Sequence, residues 1–407
     1  MKNYNLVHVL SYQEYRTPLV RVQLFEQAAI QQSIKGEDSP RVVEVWIVVP
    51  FRVYWDSYFN SYLKDLRITF PSLPIRILGG ADRLANFPQT QLMFYFRKSL
   101  GQSPVIFHFR GDDLISQFLK IKSNYPQDRF VADIRGLWPA EFLLNKNKVV
   151  FNEKELLTDP SAALLVSQMN QNLNYADGLS TVSAELGRVI KKLSGFEKNS
   201  WTVPCAIPEN SISTNTSKNS SDQLLIGYLG GTAPYQHLPD LVLPFMDCLI
   251  RLNSQVKLRF ITHQPDELRK IISRFAWEEE KFEIFSVDQK LVQNYLKDVD
   301  LGLLIRKRNL VNQVAQPVKV GEYLAAGVPV LAQTDLSGLS ISDHPGILEK
   351  EFEGNPMEKI AEEILSWLST TSRNQRSLLA VESAKKLTWE QMISRHRYHY
   401  HQILNQN

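Results

Sequence analysis

Residues 301–332 read LGLLIRKRNLVNQVAQPVKVGEYLAAGVPVLA, and this stretch carries the clearest information about the fold. A short apolar run ends at Arg306, a polar loop follows, and a segment of helical length leads to Gly327. Glycine is the usual residue just past the end of a helix, and the Val-Pro-Val at 328–330 begins a second apolar run. Strand, helix and strand in this order indicate a parallel sheet.

The same alternation runs through the rest of the chain. Short apolar runs rich in β-branched residues have the length of buried strands, and helical-length segments separate them. A first series of predicted strands lies at 5–10, 42–50, 75–78, 105–109, 130–134, 178–182 and 201–205. A second series lies at 224–229, 256–262, 282–285, 301–305 and 328–332. Strands that are apolar throughout predict α/β, doubly wound (Rossmann-like) sheets covered by helices on both faces.

A polar segment separates the two series of strands. Residues 211–222 (SISTNTSKNSSD) are rich in Ser, Thr and Asn and lack periodicity, which is typical of a linker or loop. A length of 407 residues also exceeds that of a usual single domain. We therefore predict one Rossmann-like domain at 1–207 and a second at 208–385.

Residues 386–407 are predicted to form a terminal helix. One apolar face is indicated by the spacing of Trp389, Ile393, Tyr400 and Leu404. The same segment contains three histidines without neighbouring carboxylates or cysteines, so we expect a solvated helix face rather than a metal site at His396, His399 and His401.

The composition is that of an ordinary globular protein. Hydrophobic residues make up 43% of the chain and charged residues 22%. The net charge of +3 is too small to indicate a nucleic-acid-binding surface. Cys205 and Cys248 stand apart from any CxxC pair, so we expect two buried thiols rather than a disulfide or a metal site.

The chain shows neither a signal peptide nor an apolar stretch of membrane-spanning length, so we expect a cytoplasmic protein. Residues 51–62 (FRVYWDSYFNSY) are rich in aromatics. This segment leaves open a peripheral association with the inner face of the membrane, although a core helix with exposed aromatics is the favoured interpretation.

Three charged residues within 301–332 could bind a nucleoside diphosphate. Arg306 and Lys319 would supply positive charge for two phosphates and for charge that develops on a leaving group. A helix N-terminus beside them would add backbone N–H groups. Glu322, one turn after Lys319, could accept hydrogen bonds from both ribose hydroxyls. The alternative, weighted equally, is a surface helix with a Glu/Lys pair and an Ala-Gly turn.

The segment 317–332 (PVKVGEYLAAGVPVLA) resembles a signature of the GT4-like (group 1) glycosyltransferases, Pro-x-Lys-x-x-Glu-Tyr-Leu-Ala-x-Gly-x-Pro-Val. Residues 175–183 (YADGLSTVS) and 388–390 (TWE) are similar to further patterns of that family. The resemblance implies the GT-B architecture, with a nucleotide sugar on the second domain, an acceptor on the first, and a C-terminal helix crossing back to the first domain.

The resemblance also implies roles for individual residues. Glu322 is expected to contact the donor ribose, and Arg306 and Lys319 the diphosphate. The nucleobase is expected against the loop that holds Ser286 and Val287. Two glycines after the first strand of the second domain would allow close approach of a phosphate or sugar, or form an ordinary turn, at Gly230 and Gly231.

One position departs from the family pattern. Many relatives carry a glutamate eight residues before the position of Glu322, where it touches the donor sugar, and this chain has Val314 there. The loop 309–316 must therefore bind the sugar in a different way.

The first domain should supply the acceptor site and any general base. His108 and Arg110 end one predicted strand, and Asp133 and Arg135 end the next. Glu141 lies just beyond. At the carboxyl ends of the strands, His108 and Asp133 are the catalytic candidates, and the candidates to bind the acceptor are Arg110, Arg135 and Glu141. Structural roles carry about equal weight, for example an Asp133–Arg135 ion pair that holds a loop. Residues 11–16 (SYQEYR) follow the first strand, where relatives often place a loop near the donor or acceptor.

The sequence therefore predicts a metal-independent glycosyltransferase of hexosyltransferase type that needs no cofactor. It would move a sugar from a nucleotide sugar to a lipid-linked acceptor or growing glycan, in the biosynthesis of glycans or surface polysaccharides. The resemblance implies retention of anomeric configuration. Two alternatives stay open, a non-catalytic GT-B-like binding or partner protein and a GT-B-type nucleotide-sugar epimerase.

Overall fold

The computed structural model describes residues 3–12, 20–79, 86–213, 223–335 and 343–406. Residues 13–16 and 214–222, which belong to two of the segments singled out in the sequence, lie outside these ranges. The chain divides into two compact units. The first comprises Met1–Leu143, Glu153–Pro204 and Trp389–Asn407, and the second comprises Leu144–Asn152 and Cys205–Thr388.

A seven-stranded parallel sheet forms the centre of the first unit. Its strands are β1 Asn5–Ser11, β2 Val43–Val49, β3 Ile75–Gly79, β4 Val105–Arg110, β5 Arg129–Ile134, β6 Gly178–Thr181 and β7 Asn199–Thr202. They lie in the order β3-β2-β1-β4-β5-β6-β7. Every residue of β2 and β4 is buried, as expected for strands covered on both faces.

The helices of the first unit lie between its strands along the chain, except for the terminal helix. They are Gln27–Ser33, Ser57–Thr69, Asn86–Ser99, Leu119–Asn124, Trp138–Asn145, Glu153–Thr158, Pro160–Leu173, Ala184–Ser194 and Trp389–Leu404. Their ends follow local sequence signals. Asp56 caps the second of them by accepting hydrogen bonds from the N–H groups of Tyr58 and Phe59, and Gly195 ends Ala184–Ser194 in the left-handed conformation.

The terminal helix Trp389–Leu404 belongs to the first unit although it follows the second in the chain. The helix is shorter than the predicted segment 386–407, and its predicted apolar face is buried, at Trp389, Ile393, Tyr400 and Leu404. The expectation of a solvated histidine face is wrong for His396. That side chain is fully buried, and its Nδ1 lies 3.1 Å from the indole Nε1 of Trp201. Burial, followed by the neighbouring His108, holds the pKa of His396 well below its usual value.

The second unit is built around a six-stranded parallel sheet. Its strands are β8 Leu224–Leu229, β9 Val256–Ile261, β10 Phe282–Phe285, β11 Leu301–Leu304, β12 Val330–Gln333 and β13 Ile347–Lys350. They lie in the order β10-β9-β8-β11-β12-β13. The helices are Leu243–Leu252, Pro265–Ile272, Val292–Leu296, Leu310–Val314, Lys319–Ala325, Met357–Thr370 and Arg373–Lys385. Two buried apolar clusters pack between this sheet and its helices.

Two strands differ from the prediction. The last strand of the first unit is Asn199–Thr202, earlier than the predicted 201–205, because Pro204 has no N–H to donate to a neighbouring strand. The strand Ile347–Lys350 was not predicted. Only its first residue is buried, so it lacks the continuous apolar run that identifies the other strands.

Candidate functional site

The strand order of the second unit reverses between β8 and β11, which both lie at the centre of the sheet. In open α/β sheets, ligands bind beyond the carboxyl ends of the strands at such a switch point. β8 ends at Leu229 and is followed by Gly230 and Gly231, while β11 ends at Leu304 and is followed closely by Arg306. The topology therefore places these predicted donor-site residues at the edge where a ligand is expected.

Both glycines at the end of β8 occupy positions with no room for a side chain. A Cβ on Gly230 would lie 2.5 Å from the ammonium Nζ of Lys319, and one on Gly231 would lie 2.6 Å from Oε1 of Gln264. Gly230 also has a φ of 153°. The close approach of Lys319 to the backbone at the end of β8 therefore depends on Gly230.

Arg306 and Lys319 meet at one amide oxygen. Oε1 of Gln236 accepts hydrogen bonds from Nη2 of Arg306 at 3.3 Å and from Nζ of Lys319 at 3.0 Å. The guanidinium of Arg306 lies 5.4 Å from the ring centre of Tyr235, and Nζ of Lys319 lies 5.4 Å from that of Tyr228. Within the described part of the chain, neither cation forms an ion pair with a carboxylate.

The guanidinium of Arg306 and the ammonium group of Lys319 are both partly or fully shielded from water. Arg306 is buried, and burial lowers the pKa of its guanidinium. Burial, and then the charge of Arg306, hold the pKa of the half-buried Lys319 well below its usual value, while Glu322 opposes this shift. Bringing like charges together in a low-dielectric site is costly without a counter-charge. The site is thus suited to an anion with more than one negative charge.

The loops around the cation pair contain several buried polar atoms without a hydrogen-bond partner. In the described part of the second unit there are five such side-chain atoms, and four of them belong to the loops 230–237 and 305–312. They are Thr232 Oγ1, His237 Nε2, Arg306 Nε and Asn312 Oδ1. Buried polar groups are nearly always paired in folded proteins, so their concentration here indicates a site for a polar ligand.

The predicted ribose contact lies on the same helix as Lys319. Glu322 follows Lys319 by one turn, and its carboxylate accepts a hydrogen bond from the side-chain amide of Gln289. Burial raises the pKa of Glu322. Gln289 follows the exposed Ser286 and the half-buried Val287 in the loop after β10. The structure therefore brings the predicted nucleobase loop and Glu322 together.

The helix Lys319–Ala325 is short, and its backbone is not the main feature of the site. It has seven residues and begins after Val318, so the predicted contribution of a helix N-terminus is small beside that of the two cationic side chains. Pro317 precedes the helix, and its carbonyl accepts a hydrogen bond from the N–H of Val320.

Val314 lies in the interior of the second unit. It is fully buried at the end of the helix Leu310–Val314, which begins with Asn309 accepting a hydrogen bond from the N–H of Asn312. An apolar side chain in this place cannot accept hydrogen bonds from a sugar. The polar side chains of the loop 309–316 are all amides, namely Asn309, Asn312, Gln313 and Gln316.

In the first unit, Asp133 lies at the centre of the predicted acceptor residues. Its Oδ2 is 2.8 Å from Nε of Arg135, 3.6 Å from Nε2 of His108 and 3.7 Å from Nη1 of Arg110. Burial alone would raise the pKa of Asp133, but Arg135, His108 and Arg110 together hold it well below its usual value. The structure thus joins these four residues into one buried charged cluster at the ends of β4 and β5.

Three residues to which the sequence analysis gave no role in this cluster surround His108. The hydroxyl of Tyr400, on the terminal helix, lies 2.6 Å from its Nδ1. His8, paired with His108 across β1 and β4, packs against it with ring centres 5.1 Å apart. His396 lies at the same distance on another side. Burial, and then His108, lower the pKa of His8 to about 3, so this histidine is neutral.

Glu141 is placed differently. Its carboxylate lies over Gly136, where a Cβ would come within 2.1 Å of Oε1. Burial raises the pKa of this half-buried carboxyl group. No contact joins Glu141 to Asp133 among the contacts of the described residues, so it stands beside the charged cluster rather than in it.

The described residues contain neither a metal-binding cluster nor a membrane-spanning helix. No group of three or more His, Cys, Asp or Glu side chains is arranged to hold a metal ion among them. No helix in the same ranges is long and apolar enough to cross a membrane. Cys205 and Cys248 are both buried, and neither is part of a disulfide.

Comparisons with known proteins agree with this architecture. No protein-family model matches the chain. The chain is 23% identical over 262 residues to a Bacillus subtilis protein named provisionally as a teichuronic acid biosynthesis glycosyltransferase, TuaH. The aligned residues are 60% of this chain and 60% of that protein's own length.

The similarity to solved structures extends over the whole chain. Anabaena HepE in complex with UDP superimposes with a TM-score of 0.66 at 10% identity, covering 98% of this chain and 100% of that one. A glycosyltransferase from Rickettsia africae superimposes with a TM-score of 0.67 at 12% identity, covering 100% of both chains. At such identities the similarity is one of fold. The chain therefore has the GT-B glycosyltransferase fold, as its sequence predicts.

Proposed function

We propose that this protein is a glycosyltransferase of the GT4-like group that transfers a sugar from a nucleoside diphosphate sugar. The observation that carries the proposal is the pair formed by the buried Arg306 and the half-buried Lys319 at the switch point of the second unit, without a carboxylate partner in the described residues. Two phosphates would supply the missing negative charge.

Further features support a nucleotide at this place. Glu322 lies one turn from Lys319 and carries a carboxylate that two ribose hydroxyls could share. HepE, which has the same fold, has been solved with UDP and with UDP-glucose. These points favour a nucleotide sugar as the ligand, with the base against the loop of Ser286 and Val287.

The first test is thermal unfolding in the presence of UDP, GDP, ADP and CMP. A nucleotide at about 100 times its dissociation constant should stabilise the protein by about 2.7 kcal/mol. We expect this shift for one nucleoside diphosphate and its loss in Lys319→Ala. The matched control is Lys297→Ala, an exposed lysine of the same unit. The absence of a shift with every nucleotide would contradict the proposal.

We propose that the two cations, rather than a divalent ion, stabilise the leaving nucleoside diphosphate. Positive side chains fixed in a dry site can offset the charge that develops as the sugar–phosphate bond breaks. Transfer should then continue in excess EDTA, and a complete loss that Mg²⁺ or Mn²⁺ restores would contradict this part. Retention of configuration follows from the family resemblance, and the anomeric proton of the product, observed by NMR, tests it.

The acceptor side of the proposal rests on the charged cluster of the first unit. His108 and Asp133, with Nε2 and Oδ2 3.6 Å apart, are the candidates for proton transfer, and Arg110 and Arg135 would favour an acceptor that carries negative charge, such as a lipid-linked or growing glycan. TuaH, the similar B. subtilis protein, is named for the synthesis of such a polymer. A role in surface polysaccharide synthesis is the corresponding proposal for this chain.

We also propose that the protein associates peripherally with a membrane through the segment 52–64. Trp55 and Tyr58 are exposed by 70% and 59%, and two exposed cations, Arg52 and Lys64, lie in the same part of the chain. Aromatic and basic side chains together suit an anionic lipid surface. Co-sedimentation with anionic vesicles, compared with the double variant Trp55→Ser, Tyr58→Ser, tests this association.

A second candidate function is a nucleotide-sugar-binding protein without turnover. The buried Val314, in the place of a glutamate that touches the sugar in relatives, favours it. Incubation with the nucleotide sugar that binds separates the two. Release of the nucleoside diphosphate, by transfer or slow hydrolysis, would favour the transferase, whereas binding without release would favour the second candidate.

A further inference from the structure

Gln236 stands in the structure where an anion would be expected. It is a neutral side chain, 6% exposed, in the short helical turn Pro234–Gln236 that follows the glycines after β8. Its Oε1 accepts hydrogen bonds from both Arg306 and Lys319, and it is the acceptor that these two cationic groups share. An amide oxygen carries only a partial negative charge, so this contact offsets little of the positive charge around it.

We propose that Gln236 is an internal ligand, which occupies a phosphate-oxygen position of the donor site and is displaced when a nucleoside diphosphate binds. This inference rests on the proposed function and names a residue that sets donor affinity. A phosphate oxygen is the stronger acceptor, because it carries negative charge and a phosphate can pair with a guanidinium through two parallel hydrogen bonds.

The surroundings of Gln236 show that it satisfies the site only in part. Nε of Arg306 has no hydrogen-bond partner, and neither has Oγ1 of Thr232. A diphosphate has several acceptor oxygens, whereas the amide of Gln236 has one. The free donors therefore match a ligand with more acceptor atoms than the residue that now holds the place.

The backbone beside Gln236 has an uncommon conformation. His237 adopts the left-handed region, with φ of 50° and ψ of 36°, which non-glycine residues occupy infrequently. Nδ2 of Asn312 donates a long hydrogen bond of 3.4 Å to the carbonyl of Tyr235 in the same turn.

The test compares variants of Gln236 in calorimetric titrations with UDP, GDP, ADP and inorganic pyrophosphate. Gln236→Met keeps the length of the side chain and removes the acceptor, so the best-bound nucleotide should bind about 3- to 10-fold more tightly, the gain expected when a competing internal contact is removed. Gln236→Glu should bind it about 100-fold more weakly, since a carboxylate neutralises the cations and repels the phosphates. The matched controls are Gln255→Met and Gln255→Glu, at an exposed glutamine of the same unit.

Thermal unfolding gives a second measurement. Without nucleotide, Gln236→Met should unfold at a lower temperature than wild type, because the two cations lose their shared acceptor. When both proteins are saturated with nucleotide, their unfolding temperatures should be the same. If Gln236→Met does not fold, Gln236→Ser serves in its place, because serine is too short to reach both cations.

Each result bears on one proposal. Tighter binding in Gln236→Met with weaker binding in Gln236→Glu supports the internal ligand. Unchanged or weaker binding in Gln236→Met overturns it and leaves the donor site intact, since wild type still binds the nucleotide. Failure of wild type to bind any of the four compounds overturns the proposed function as well.

Discussion

At the level of single residues, the geometry of the donor site depends on the absence of a side chain at Gly230. The Lys319 ammonium group occupies the space that a Cβ on Gly230 would need, 2.5 Å away, and the hydroxyl of Tyr228 lies 3.3 Å from the same point. The flexible end of a lysine can move aside, whereas the backbone at the end of β8 is fixed by the sheet. A side chain at 230 would therefore displace the cation and leave the fold intact.

Gly230→Ala should accordingly weaken nucleotide binding by about 10- to 100-fold, the lower part of the range for disrupting a buried charged contact. Calorimetric titration with the bound nucleotide measures this loss. The control is Gly354→Ala, in the same unit, where φ is also positive at 82° but no atom lies within 4 Å of the added Cβ. Equal losses in the two variants would show that the effect is a general one on the backbone.

The protonation of Lys319 should appear in the pH dependence of binding. Burial, and then the charge of Arg306, lower its pKa in the free protein, and the phosphates of a bound nucleotide would raise it again. Binding therefore takes up a proton when the pH lies above the pKa of the free site. Affinity should then fall as the pH rises, by up to about tenfold per pH unit, and stay level below that pKa.

Titrations above about pH 7, where the terminal phosphate is ionised, test this dependence without interference from the ligand. Lys319→Arg is the matched variant, because a guanidinium stays charged throughout this range, and its profile should be level. A level profile in the wild-type protein would mean that Lys319 is already fully charged in the free site.

At the level of elements, the terminal helix Trp389–Leu404 supplies part of the first unit's polar interior. The hydroxyl of Tyr400 is a hydrogen-bond partner of His108, while its ring stacks on that of His396 with centres 5.6 Å apart. Tyr400→Phe keeps the ring and leaves Nδ1 of His108 buried without this partner. The free energy of unfolding should fall by about 1–3 kcal/mol, the cost of an unsatisfied buried polar group.

Denaturant unfolding measures that fall, with Tyr398→Phe as the control. Tyr398 lies on the same helix but is 62% exposed, so its substitution should change the free energy of unfolding by less than about 0.5 kcal/mol. A loss of the same size in both variants would argue against a specific role for the Tyr400 hydroxyl.

The sequence allowed prediction of elements and of contacts that are local in the chain. Arg306, Lys319 and Glu322 stand within one strand–helix–strand stretch, so their spacing was enough to place them together. Gln236 and Arg306 are 70 positions apart, and Tyr400 and His108 are 292 apart. Such contacts follow from the order of strands and from the path of individual loops, which no local pattern encodes. The choice of sugar depends on loop contacts of the same kind.

At the level of the whole molecule, each compact unit has its own core and its own cluster of charged residues. The donor-site residues belong to the second unit, and the terminal helix belongs to the first. A ligand that binds the second unit should therefore raise the unfolding temperature of that unit, and a cavity in the first unit should lower the unfolding temperature of the first. This separation follows from the assignment of residues to units, and scanning calorimetry can test it.

Ile403→Ala should lower the stability of the first unit alone. Ile403 is fully buried, and a Cβ on Gly178 of β6 would lie 3.5 Å from its Cγ2. Truncation therefore leaves a cavity and should lower the free energy of unfolding by about 2–4 kcal/mol. Gln402→Ala, at the exposed neighbouring position, is the control. The nucleotide should raise the transition of the second unit equally in wild type and in Ile403→Ala, with the same binding enthalpy. A weaker nucleotide response in Ile403→Ala would show that the first unit contributes to the affinity for the donor, because the mutated side chain lies outside the unit that carries Arg306 and Lys319.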